Sequence, residues 1–99
     1  DMGLGKSIQT LAVFLERKAL QKAPALLICP TSVIGNWQRE AQRFAPELRV
    51  LIHHGAARRK KEDFAGQVGQ YDVVLASYAL AHRDEETLKQ IEWDGIVLD

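Results

Sequence analysis

The chain has one cysteine, Cys29, in 99 residues. A single thiol excludes an internal disulfide framework and fits a reducing compartment. Net charge is lacking too, because 13 Lys and Arg balance 13 Asp and Glu. Any basic surface for a nucleic-acid partner must therefore be local. No apolar run approaches the ~20 residues that span a bilayer, and nothing resembles the basic and apolar regions of a secretory signal. Internal repeats, low-complexity tracts and linkers are missing as well. A composition 46% apolar and 26% charged is that of a globular domain, and this length allows one small domain or a piece of a larger one. The expectation is a soluble, intracellular protein.

What is present begins with Asp1-Met2-Gly3-Leu4-Gly5-Lys6-Ser7-Ile8-Gln9. Gly5-Lys6-Ser7 is the closing half of a phosphate-binding loop, G-x-x-x-x-G-K-[ST], whose first glycine would fall before Asp1; the chain is expected to start inside this motif. Small residues let successive backbone N–H groups point at one anion, which a helix N-terminus also favours. Lys6 would reach the β/γ-phosphates and the Ser7 hydroxyl would hold Mg²⁺.

Behind the loop, Ile8, Leu11, Ala12, Leu15 and Ala19 recur at helical spacing, predicting an amphipathic helix over residues 6–22 that Ala23-Pro24 ends. Leu26-Leu27-Ile28-Cys29 is a continuous apolar run, the pattern of a strand buried on both faces of a parallel sheet. Pro30-Thr31-Ser32 turns the chain into a second helix with Thr31 or Ser32 as N-cap and Val33, Ile34, Trp37, Ala41 and Phe44 on its inner face. Residues 48–52 read as the next strand, residues 58–65 as a short helix, and residues 73–76 as a third strand. Residues 79–91 read as a helix, and Ile96-Val97-Leu98-Asp99 as a fourth strand ending in a carboxylate. Alternating helices and strands predict an α/β fold with a mainly parallel sheet.

Ligands of such folds gather at the carboxyl ends of strands. Asp99 sits at one, where a strand can deliver a carboxylate to Mg²⁺ beside a phosphate loop. Thr31 and Ser32 follow another and offer hydroxyls and N–H groups suited to a phosphate; as residue types they are equally plain helix caps. Ser77 and Tyr78 follow a third. Several features read blandly. Adjacent His53 and His54 cannot both face one site from a strand, so no metal centre is expected there. Arg58-Arg59-Lys60-Lys61 reads as a solvated face, as does Asp84-Glu85-Glu86. Trp37, Phe44 and Trp93 read as core, and Cys29 as packing.

Residues 1–10 and 27–40, the second with the pattern C-P-x-S-hydrophobic-x-x-N-W-x-x-E, resemble motifs I and Ia of the Swi/Snf family of DNA-dependent ATPases within helicase superfamily two. His54-Gly55, Ala76-Ser77-Tyr78 and the run from Trp93 to Asp99 follow in the family's order. The resemblance covers the whole chain. It implies a partial N-terminal RecA-like P-loop lobe over residues 1–99, with central strands missing, in an enzyme that hydrolyses ATP with Mg²⁺ and translocates on double-stranded DNA. Gly3, Leu4, Gly5, Lys6, Ser7 and Ile8 would bind ATP, Ser7 and Asp99 the metal, and Lys6 and Asp99 would be catalytic. Thr31, Ser32, Ser77 and Tyr78 would contact the DNA backbone irrespective of sequence. A second RecA-like lobe would close over the nucleotide, no membrane is involved, and the setting is the cytoplasm and nucleoid or the nucleus. The 99-residue piece alone is expected to fold poorly and to hydrolyse ATP negligibly. Two other classes fit parts of the sequence. A nucleic-acid-binding remnant without ATPase activity would not need Gly5, Lys6 and Ser7; a P-loop enzyme on a small substrate would not need the 27–40 signature.

Overall fold

The computed structural model describes residues 2–20, 23–53 and 68–99. In chain order these form α1 (Met2–Lys18), β1 (Ala25–Cys29), a 3-10 turn (Thr31–Val33), α2 (Ile34–Phe44), β2 (Val50–His53), β3 (Val73–Ser77), α3 (Tyr78–Arg83), α4 (Glu85–Lys89) and β4 (Gly95–Leu98). The expected helix over residues 58–65, the basic run at 58–61 and His54-Gly55 lie outside the described residues.

The four strands make one parallel sheet in the order β2-β3-β1-β4. Ala25 pairs with Val73 on one side and with Gly95 on the other. The unbroken apolar run of β1 is explained by its central place, because alternate residues enter different cores. Ala25, Leu27 and Cys29 pack with Leu11, Phe14, Ile34, Trp37 and Ala41 beneath α1 and α2. Leu26 joins Val74, Ala76 and Leu88 on the opposite face. β4 is an edge strand among the described residues, and its Ile96 and Leu98 are 58% and 63% exposed, the mark of a sheet not fully covered.

The helices depart from expectation in four ways. The first is the stripe that α1 buries. Leu11 and Phe14 are buried and Ser7, Thr10, Leu15 and Lys18 half-buried, whereas Ala12 and Ala19 are exposed. That set follows helical spacing as well as the expected one, but it places the largest apolar side chain, Phe14, inward and lets Lys18 reach Asp72 at 2.8 Å. The second concerns ends. α1 stops at Lys18, where Leu20 N–H closes onto Arg17 C=O at 2.9 Å. Third, Phe44 is 38% exposed and lies under the Arg43 guanidinium, 5.2 Å from its ring centroid, a cation–π contact in place of core packing. Fourth, residues 79–91 form two short helices, because Asp84 takes φ −102° and ψ 24° and breaks the ladder between them.

One geometric match fixes α1 on the sheet. Its C-terminal end is held by Arg17, whose Nε and Nη2 donate to Asp94 at 2.6 and 2.9 Å. Its N-terminal half is held by Lys6, which donates to Asp99 at 2.6 Å. From Lys6 to Arg17 a helix rises about 16 Å at about 1.5 Å per residue. From Asp94 to Asp99 a strand covers the same ~16 Å at about 3.3 Å per residue. The helix therefore lies antiparallel to β4, pinned at both ends by two Arg/Lys–Asp pairs in step.

Leu27 is fully buried on the face that receives α1 and α2. Leu27→Ala is expected to cost about 2–5 kcal/mol, whereas Val13→Ala, at a position 52% exposed, should stay within about 0.5 kcal/mol. Chemical denaturation of both variants in the full-length protein checks the contrast.

Candidate functional site

Strands that start level end level. Cys29 pairs with Ser77 and Ile28 with Leu98, so Pro30, Tyr78 and Asp99 emerge together on one rim. The N-terminal end of α1 reaches the same rim through Lys6. A parallel sheet thus assembles residues separated by up to 93 positions.

Asp99 is the best-held residue there. Its N–H donates to Ile28 C=O at 2.9 Å, continuing the β1–β4 ladder by one residue. Its C=O accepts from the Tyr78 hydroxyl at 2.7 Å. Its carboxylate takes Lys6 Nζ on Oδ1 at 2.6 Å and the indole Nε1–H of Trp37 on Oδ2 at 3.0 Å. The Lys6 bond, then the Trp37 bond, hold its pKa below the usual carboxylate range against a smaller desolvation effect. Asp99 is therefore an anionic acceptor at neutral pH.

The other expected residues fall into two groups. Gly3, Leu4 and Gly5 were expected in a loop, yet α1 runs through them from Met2. Glycine accepts helical angles at a cost of about 1 kcal/mol, and this start leaves the first N–H groups of α1 without intrahelical acceptors. Those donors and the helix dipole favour an anion, from a local geometry other than the expected loop. Lys6 projects from the next turn beside half-buried Ser7, while Ile8 is 39% exposed.

Thr31 and Ser32 are exposed, and neither caps α2. They lie in the 3-10 turn closed by Val33 N–H on Pro30 C=O at 3.0 Å, and the N-cap position falls on Val33, without a side-chain cap. Ser77 is the reverse case. It is 1% exposed, and its Oγ accepts from Leu80 N–H at 3.2 Å, so the hydroxyl caps α3 and does not reach the surface. Tyr78, 43% exposed, stands at the rim with its hydroxyl on Asp99.

Two participants escaped sequence reasoning. Trp37 belongs to the core as expected, at 4% exposure, but its N–H also serves Asp99; the signal was that a buried indole needs an acceptor. His53, 2% exposed, meets Asp84 at 2.9 Å through Nε2, tying the end of β2 to the α3–α4 break. Nothing in the spacing of residues 53 and 84 announces that pair. Cys29 is fully buried, and desolvation, helped by the charge of Asp99, pushes its thiol up to about 11. It is an inert packing group, as expected.

The Asp99 pKa gives a direct check. A carboxylate depressed in the folded state contributes stability above its unfolded pKa and loses it as pH falls through the folded value. Lys6→Met removes the larger of the two bonds and should move Asp99 upward, toward 3.8. Carboxyl-carbon NMR titration reads that shift directly.

Known proteins are similar to this chain along its whole length. The SNF2-related domain family matches residues 1–99. The chain is 54% identical over 101 residues to the putative ATP-dependent helicase/translocase YwqA of Bacillus subtilis and 37% identical over 103 residues to helicase SWR1 of Saccharomyces cerevisiae. Each alignment takes in 100% of this chain but only 11% and 7% of the relative. In structure it resembles the Sulfolobus solfataricus SWI2/SNF2 ATPase core in complex with dsDNA, with a TM-score of 0.82 and 42% identity over 100% of this chain and 20% of that one. With that match along its entire length, the chain belongs to the SNF2-related domain family.

Proposed function

We propose that this chain is the ATP-binding part of a DNA-dependent ATPase that translocates on double-stranded DNA and remodels protein–DNA complexes. One observation carries the proposal: Lys6 and Asp99, from the two ends of the sequence, meet at 2.6 Å beside the N-terminal end of α1.

The ion pair is suited to exchange. Lys6 is 52% exposed on a flexible stem and can leave Asp99 for the β/γ-phosphates, trading one anion for another. Ser7 and the ionised Asp99 then offer the hydroxyl and carboxylate oxygens that fit Mg²⁺, an ion that takes few protein ligands and keeps phosphate and water oxygens. A Mg²⁺ ion held by Ser7 and Asp99 would supply positive charge to offset the charge developing on the phosphates. Gly3, Leu4 and Gly5 supply backbone N–H groups to the phosphates, and Ile8 flanks them.

Thr31, Ser32 and Tyr78 are exposed on the rim and are assigned to the DNA sugar-phosphate backbone, with Ser77 shaping that surface as a cap. The Sulfolobus relative was solved with dsDNA, which supports a duplex as the partner. Closure of a second RecA-like lobe over the nucleotide would turn hydrolysis into steps along one strand. Among the described residues no helix is long and apolar enough to cross a membrane. The 99-residue chain alone is assigned no ATPase activity, since it spans a small share of its relatives and exposes Ile96 and Leu98 on β4.

In the full-length protein, Lys6→Ala should lower DNA-stimulated ATP hydrolysis by about 10²-fold or more, the scale of losing one aligned electrostatic stabiliser. Stimulation should weaken steeply with salt, because contacts to phosphates release counterions. Steady-state ATPase assays with and without duplex DNA test both. Unchanged turnover in Lys6→Ala would sink the motor reading. Absence of turnover in the wild-type protein would point to a nucleic-acid-binding remnant, and turnover indifferent to DNA would point to a small-substrate enzyme.

A further inference from the structure

The two carboxylate oxygens of Asp99 are held by donors of different character. Oδ1 takes an ammonium on a half-exposed, rotatable stem; Oδ2 takes the N–H of an indole that is 4% exposed and packed in the core with Leu27, Cys29, Ile34 and Ala41. An ammonium can exchange one anion for another. An indole has a single donor, no acceptor and no freedom to rotate away while its ring is packed. We propose that Trp37 is a positioning residue of the nucleotide site, fixing Asp99 Oδ2 so that Oδ1 is presented to Mg²⁺ when Lys6 moves to the phosphates. The inference rests on the assignment of Asp99 as the metal-directed acid.

Two features of the arrangement support it. Trp37 donates from α2, whereas Lys6 donates from α1, so losing one bond leaves the other anchored by a separate helix. The main chain of Asp99 is also fixed, by Ile28 C=O and the Tyr78 hydroxyl, which leaves side-chain rotation as the freedom that Trp37 removes. Partners behind a ligating group typically change metal affinity or activity by about 10–100-fold when lost.

The test uses the full-length protein with Mn²⁺ as a paramagnetic probe and a non-hydrolysable ATP analogue. Trp37→Phe keeps an aromatic ring at this position, though a smaller one, and drops the N–H. It should weaken Mn²⁺ affinity about tenfold while metal-free binding of the analogue stays within about twofold, a split that a general loss of packing would not produce. A folded Trp37→Phe protein with unchanged Mn²⁺ affinity overturns the inference. Should that variant fold poorly, the indole ¹⁵N–¹H resonances of the wild-type background decide. The Trp37 resonance should move upfield in Asp99→Ala and hold in Lys6→Ala, while that of Trp93, which donates to Leu88 C=O at 3.0 Å, stays put in both. A Trp37 resonance indifferent to Asp99→Ala overturns it equally. Normal Mn²⁺–analogue binding by Asp99→Ala would instead sink the assignment of the acid itself.

Discussion

Level pairing of β1 with β3 and with β4 is the constraint on which the site depends. Because Ala25 faces Val73 and Gly95 at one end, the three strands run out at the same height at the other. That alone delivers Pro30, Tyr78 and Asp99 to a common rim. A slip of one residue in β4 would turn its side chains to the opposite face and carry Asp99 away from both Lys6 and Trp37. The register is defended by burial, since β1 is covered on both faces, and by the match in length between α1 and β4. Arg17–Asp94 at one end and Lys6–Asp99 at the other satisfy their distances together only in this register.

The same constraint gives the ion pair its double character. Exposed Lys–Asp pairs add little to stability, typically ~0–1 kcal/mol, and Lys6 is half-exposed. The pair costs little to break, which suits the proposed transfer of Lys6 from the carboxylate to a phosphate. Asp99 differs from Lys6 in having three further bonds, to Ile28, Tyr78 and Trp37. One partner is free to move and the other is fixed. That asymmetry is what the proposed exchange requires, and Lys89–Glu85, an i,i+4 pair within α4, joins two residues of one helix instead.

Much of this was legible in the sequence because parallel α/β order leaves a strong trace. Continuous apolar runs located three strands, and the run 48–52, with Arg49 in it, located the fourth, which the fold sets at Val50–His53. Strand-end positions located Asp99, Thr31, Ser32, Ser77 and Tyr78. What periodicity could not resolve was which of two neighbouring helical stripes α1 buries, since Ala12 and Ala19 are as apolar in type as Phe14; side-chain size and the Lys18–Asp72 contact decided it. Ser77 shows a related limit. A hydroxyl at a strand end is equally a surface ligand or a buried cap, and only the fold distinguishes them. The indole of Trp37 and the His53–Asp84 pair were hidden because each joins residues far apart in the chain, through contacts that leave no spacing pattern.

The proposed function requires Lys6 and Asp99 to be opposite sides of one nucleotide site whose mutual bond is exchanged on binding. The most direct measurement is a crystal structure of the full-length protein with Mn²⁺ and a non-hydrolysable ATP analogue, the metal located by anomalous scattering. The expected result is Mn²⁺ on Asp99 Oδ1 and the Ser7 hydroxyl, Lys6 Nζ on a phosphate oxygen, and Trp37 Nε1 still on Oδ2. An intact Lys6–Asp99 pair with the nucleotide bound elsewhere would contradict it.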